Sequence, residues 1–74
     1  MAVNSLWERG NKALNSKNFE EAIHFFELFV KIEPQSTIGH YRLAMAYHNT
    51  QRLDEAIRSY DNSILTNPEF PDAH

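Results

Sequence analysis

Apolar residues recur along most of this chain at intervals of three and four. Phe19, Ala22, Ile23, Phe26, Phe29 and Val30 keep the 3.6-residue period of one helical face. Leu6, Gly10, Ala13 and Leu14 share a face in the same way. The pattern predicts four helices, over residues 4–16, 19–33, 37–50 and 53–66. Ser5 with Glu8 reads as a capping box at the start of the first, and Asn18 with Glu21 as an amide version before the second. Pro34 stops the second helix and Asn67-Pro68 the fourth, because proline lacks the N–H a helix needs and restrains the residue before it. Linkers this short force each helix to run antiparallel to the one before.

The two halves of the chain nearly coincide at the offset that separates Pro34 from Pro68. Glu21-Ala22-Ile23 falls on Glu55-Ala56-Ile57, Phe19 on Leu53, Phe26 on Tyr60, Val30 on Ile64 and Asn15 on Asn49. Most of these matched positions are apolar and helically spaced, which is what two copies of one hairpin require. Stacked supersecondary units follow from such a period.

Both halves resemble tetratricopeptide repeats. The second carries His40, Leu43-Ala44, Tyr47, Ala56, Tyr60 and Pro68 at the pattern's positions. The first carries Leu6, Arg9-Gly10, Ala13, Ala22, Phe26 and Pro34, departing from the pattern at the Leu and the first aromatic. The resemblance implies an all-α fold of two stacked antiparallel hairpins within a single domain over residues 1–74, with a right-handed superhelical sense. One repeat spans about residues 3–36 and the other about 37–70. Small residues at Gly10/Ala44 and Ala22/Ala56 let paired helices approach, while Phe26 and Tyr60 fill the space between hairpins. Pro71-Asp72-Ala73-His74 matches the opening of a third repeat. A longer array cut short and a chain with an open final edge both fit that ending, and either leaves an apolar stripe with Ile57 and Ile64 on the fourth helix.

The family's concave side is lined by the first helix of each hairpin. On this chain those positions are Asn4, Trp7, Asn11, Leu14 and Asn15, then Ile38, Tyr41, Arg42, Met45, His48 and Asn49. Their spacing agrees with helical stripes. Aromatic and apolar groups interleaved with amides suit an extended peptide, the amides bonding its backbone. The resemblance thus implies a protein-interaction module. Trp7 and Tyr41 packed on each other or on another subunit would leave no groove, so a self-assembling structural unit is the competing reading. Arg9-Gly10-Asn11-Lys12-Ala13-Leu14 is similar to relatives that grip a C-terminal carboxylate, and Asn11 matches a gripping Asn. Trp7 replaces their Lys and Arg42 their second Asn, so the grip is incomplete.

Composition narrows the alternatives. The chain has 74 residues, no cysteine and a net charge of −3, with no basic stripe to attract nucleic acid or anionic lipid. No apolar run approaches the roughly 20 residues a membrane span needs, and residues 1–5 do not open a secretory signal. An intracellular, cytoplasmic setting is compatible with these features. Glu21-x-x-His24 has di-metal spacing, but its counterpart is Glu55-x-x-Arg58, so no metal is expected. His40 reads as an interior residue. Glu20-Glu21 and Asp54-Glu55 complement helix dipoles. No catalytic centre and no cofactor are expected. Phe25 and Leu28 stand where the second half has Ser59 and Asn62, positions expected to face water. They point either to a wider local core or to a second, self-associating interface.

Overall fold

A computed structural model describes the backbone of residues 2–66 and the side chains of residues 4–66. Four helices occupy it: α1 (Ala2–Asn15), α2 (Phe19–Ile32), α3 (Thr37–Asn49) and α4 (Leu53–Thr66). The all-α expectation holds, and most helix limits lie within a residue of those read from the sequence. The Asn67-Pro68 stop and the opening of a third repeat lie outside the described residues.

The caps differ from expectation in an instructive way. Nothing in Ala2-Val3-Asn4 breaks a helix, so α1 already begins at Ala2 and Ser5 sits inside it. The capping box expected from Ser5 and Glu8 therefore does not form. Asn18 does precede α2, but its side chain makes no cap bond, and its backbone carbonyl accepts from the Ala22 N–H at 3.0 Å. The side-chain cap that does form belongs to α3, where Ser36 Oγ accepts from the Gly39 N–H at 3.1 Å.

One turn closes both hairpins. After α1, Lys17 takes a left-handed conformation with φ 65°. Its N–H bonds to the Leu14 carbonyl at 3.1 Å, and the Asn18 N–H bonds to the Ala13 carbonyl at 2.8 Å. After α3, Gln51 has φ 69°, its N–H reaching His48 O at 3.1 Å and the Arg52 N–H reaching Tyr47 O at 3.0 Å. Both are Schellman closures, which satisfy carbonyls that a helix end leaves without partners. The link between hairpins is fixed separately, by the His40 ring nitrogen donating to the Pro34 carbonyl at 2.9 Å. His40 is accordingly half-buried against that turn.

Each helix packs chiefly on its neighbours in sequence, α1 on α2, α2 on α3 and α3 on α4. Ala13, Leu14, Ala22, Ile23, Phe26, Leu43, Ala46, Tyr47 and Ala56 form the core. A Cβ on Gly10 would lie 2.7 Å from the Phe26 ring, and one on Gly39 would lie 2.8 Å from the Phe29 ring. The bare backbone at each site is thus what admits the aromatic. Phe26 is fully buried, against Gly10 and edge-on to Trp7, in a core cluster that draws on both hairpins. Phe29 also reaches across, touching Trp7 of α1 and lying over Gly39 of α3. Tyr60 packs on Tyr41.

The second hairpin draws its helices together with smaller groups. Ser59 and Ser63 are buried, which corrects the expectation that position 59 faces water; Asn62 is exposed as expected. Ser63 Oγ donates to the Tyr60 carbonyl at 2.7 Å, so its hydroxyl is satisfied within α4 and can face α3 at little cost. The Thr37 and Thr66 hydroxyls share a hydrogen bond of 2.7 Å that ties the start of α3 to the end of α4. Between hairpins, the Tyr47 hydroxyl donates to a carboxylate oxygen of Glu27.

Candidate functional site

The face shared by α1 and α3 is built around Trp7. Its ring lies 4.9 Å from Phe29 and 5.6 Å from Phe26, centroid to centroid. Backed by two aromatics, it is half-buried and cannot swing freely. The guanidinium of Arg42, from α3, lies 5.7 Å from the Trp7 ring centroid, within cation–π range. That contact links the first helices of the two hairpins.

Amides flank this cluster. Asn11 Nδ2 donates to the Trp7 carbonyl at 3.0 Å and Asn49 Nδ2 to the Met45 carbonyl at 2.8 Å. Each therefore keeps its side-chain oxygen for another donor. The Asn11 oxygen is buried and has no partner among the described residues, and neither has Arg42 Nε. Met45 is half-buried and packs on the core, and Tyr41 is half-buried against Tyr60, rings 5.6 Å apart. Asn4, Asn15, Ile38, His48 and Asn49 are exposed.

Leu14 does not belong to that face. It is 8% exposed and sits in the core, so the groove position assigned to it is corrected. Trp7 and Tyr41 do not stack on each other; each leans on an aromatic from the second helix of its own hairpin. Phe29 and Tyr60 are the supports that the groove pattern did not name. Their signal was present in the apolar face of α2 and α4, although not their role beneath the groove.

Two other surfaces stand out. On α4, Ile57 is 58%, Ile64 52% and Leu65 78% exposed, with Leu53 beside them in the same apolar set. Phe25 is half-buried, its ring 5.5 Å from that of His24, while Leu28 is exposed; neither joins the core cluster. The wider-core explanation of this pair is thus not supported. Glu21 and His24 are both exposed on α2. Among the described residues no three acidic or histidine side chains gather as metal ligands would, and no helix is long and apolar enough to cross a membrane.

Burial is the main electrostatic influence on the two perturbed groups. It raises the Tyr47 hydroxyl well above the usual phenol range, helped by its bond to the Glu27 carboxylate and by that negative charge. Burial also raises Tyr60, with Tyr41 contributing. Neither group titrates near neutrality, so neither offers acid–base chemistry there.

Tetratricopeptide repeat models match residues 3–36 and 38–70. The small glutamine-rich tetratricopeptide repeat-containing protein 2 of Saccharomyces cerevisiae is 27% identical over 62 residues, 84% of this chain and 18% of that protein. A TPR repeat-containing protein of Methanocaldococcus jannaschii is 29% identical over 59 residues, 80% of this chain and 18% of its own length. The chain thus spans less than a fifth of the curated relatives it matches. Four helices paired by identical turns, small residues admitting aromatics, and two consecutive repeat matches lead to one assignment. The chain belongs to the tetratricopeptide repeat family, helical scaffolds whose general role is protein–protein interaction.

Proposed function

We propose that the face shared by α1 and α3 binds an extended segment of a partner polypeptide. The observation carrying this reading is the ordered cluster of Trp7, Asn11 and Arg42, which keeps a half-buried aromatic beside a hydrogen-bond acceptor and a donor that have no partner among the described residues. Unpaired buried polar atoms are uncommon. An extended backbone supplies both an N–H and a carbonyl for them, while Trp7, Tyr41 and Met45 offer apolar area. Replacing Tyr41 or Met45 with Ala, alongside Trp7→Ala, tests this by peptide capture and thermal unfolding together. Expected is capture reduced at least about tenfold by Trp7→Ala. Unfolding shifts with capture intact would mean the residues serve packing alone.

A second reading is favoured by the exposed apolar side chains of α4. Ile57, Ile64, Leu53 and Leu65 form an uncovered set, and such patches mark interaction surfaces. A second copy of the chain would cover it, with Phe25 and Leu28 as a further candidate contact. Light scattering over a concentration series, with Ile57→Ser and Ile64→Ser, distinguishes this from a monomer. A mass that stays monomeric at every concentration excludes the homo-oligomer.

A further inference from the structure

The second hairpin seats on the first through α2. Ile23 shares a core with Leu43, Ala46 and Tyr47, while Glu27 accepts from the Tyr47 hydroxyl and Glu20 lies 3.5 Å from Arg52. At the repeat offset the first hairpin has the same seat, and there it is an open groove of about 250 Å³ between α1 and α2. Arg9, Lys12 and Ala13 line it where Leu43, Ala46 and Tyr47 line the filled one, and half-buried Phe25 lies beside them. Both cations are exposed, and the ion pairs among the described residues belong to Arg52 instead. The far side of α4 is the counterpart of the α2 face. Ile57 and Ile64 take the places of Ile23 and Val30, and the exposed acids Asp54 and Asp61 those of Glu20 and Glu27. Ile57 is 58% exposed where Ile23 is 4%.

Resting on the self-association reading above, we propose that α4 of one copy seats in the α1–α2 groove of the next, head to tail. The contact between hairpins within one chain is its template. Ile57 then enters beside Ala13 and Phe25, and Asp61 arrives where Glu27 meets Tyr47, within reach of Arg9 and Lys12. Opposite charge thus frames an apolar centre, which favours this encounter over others. Glu21, the acid in the groove lining, stands where Glu55 stands in the filled seat, so it does not bar the entry. Packing α4 against another α4 would instead bring Asp54 and Asp61 of two copies together, and like charges in contact are costly. A head-to-tail contact leaves every copy with a free groove at one end and a free α4 at the other. Assembly therefore continues past two chains.

Two variants of the whole chain test this by sedimentation equilibrium over a concentration series. Ile57→Asp spoils the α4 end and keeps the groove; Arg9→Glu with Lys12→Glu spoils the groove and keeps α4. All three positions are exposed, and circular dichroism checks that each variant stays helical. Expected is a parent whose mean mass rises past that of two chains, with each variant alone monomeric. Mixing the variants should restore association as a one-to-one pair that grows no further, because one intact end survives on each. A parent that stops at two chains, or a groove variant that assembles as the parent does, would overturn the head-to-tail contact and leave self-association standing. Variants that stay monomeric when mixed would also overturn it. A parent that is monomeric at every concentration would overturn the self-association reading itself.

Discussion

A methyl group added at residue 10 or at residue 39 meets an aromatic ring at under 3 Å in both cases, yet the two substitutions should not behave alike. Alanine is the better helix former by about 1 kcal/mol, which favours both changes. At Gly10 the obstructing ring is Phe26, fully buried and held by Trp7, so it has nowhere to move. Gly10→Ala should lower stability by about 1–3 kcal/mol net, as overpacking does. At Gly39 the obstructing Phe29 is only half-buried and can tilt, so Gly39→Ala should fall within about 1 kcal/mol of the parent. Urea unfolding of the two variants checks the order. The need for a small residue at position 10 was legible from the repeat, whereas Gly39 was not, because its counterpart in the first half is Ser5. Leu14 was misplaced for a geometric reason. It lies one heptad from Trp7 and nearly in line with it, but it also shares the face of Gly10 and Ala13, both of which are buried.

Among elements, the turns hold the least visible information. Their length could be read, but not their left-handed residues, since Lys17 and Gln51 are neither Gly nor Asn. A non-glycine residue in that conformation costs roughly 1 kcal/mol. Lys17→Gly and Gln51→Gly should therefore each raise stability by up to about 1 kcal/mol, and the double variant should approach the sum because the turns are separate. Denaturant midpoints of the single and double variants measure this; no gain at either turn would mean that Lys17 and Gln51 bear no strain. Helices α1, α2 and α4 were well legible because their apolar period is strong and Pro34 punctuates it, whereas α3 keeps only a weak one. What the period could not give was the depth of burial on α4, where Ser59 and Ser63 occupy inward positions. A polar side chain reads as solvent-facing until its hydroxyl is known to bond within its own helix, as Ser63 does.

For the molecule as a whole, the bond between Tyr47 and Glu27 joins the two hairpins and makes their docking sensitive to alkali. The folded chain raises the Tyr47 hydroxyl above its ordinary value near 10, so its contribution is fully present below that pH and is lost as pH rises beyond it. The melting temperature should hold up to about pH 9 and fall above about pH 10. Tyr47→Phe should be less stable at neutral pH by about 1 kcal/mol and show a shallower alkaline fall. Some slope should survive, because Tyr60 is raised in the same direction. Thermal melts across that range provide the check, and an unchanged alkaline slope in Tyr47→Phe would remove Tyr47 as its source. This crossing contact was not legible in the sequence, nor was the one between Trp7 and Arg42. Both join residues far apart in the chain, outside any helical period, and only the stacking of hairpins brings them together.

That stacking has a consequence for how such a chain can change over generations. Each helix rests chiefly on its neighbours in sequence, so α4 presents its free side in much the way α2 would if the second hairpin were removed. A duplicated hairpin joined at that side would find apolar Ile57 and Ile64 already in place and would ask nothing new of α1 or α2. The architecture is modular in this literal sense: a unit can be gained without rewriting the packing of those before it.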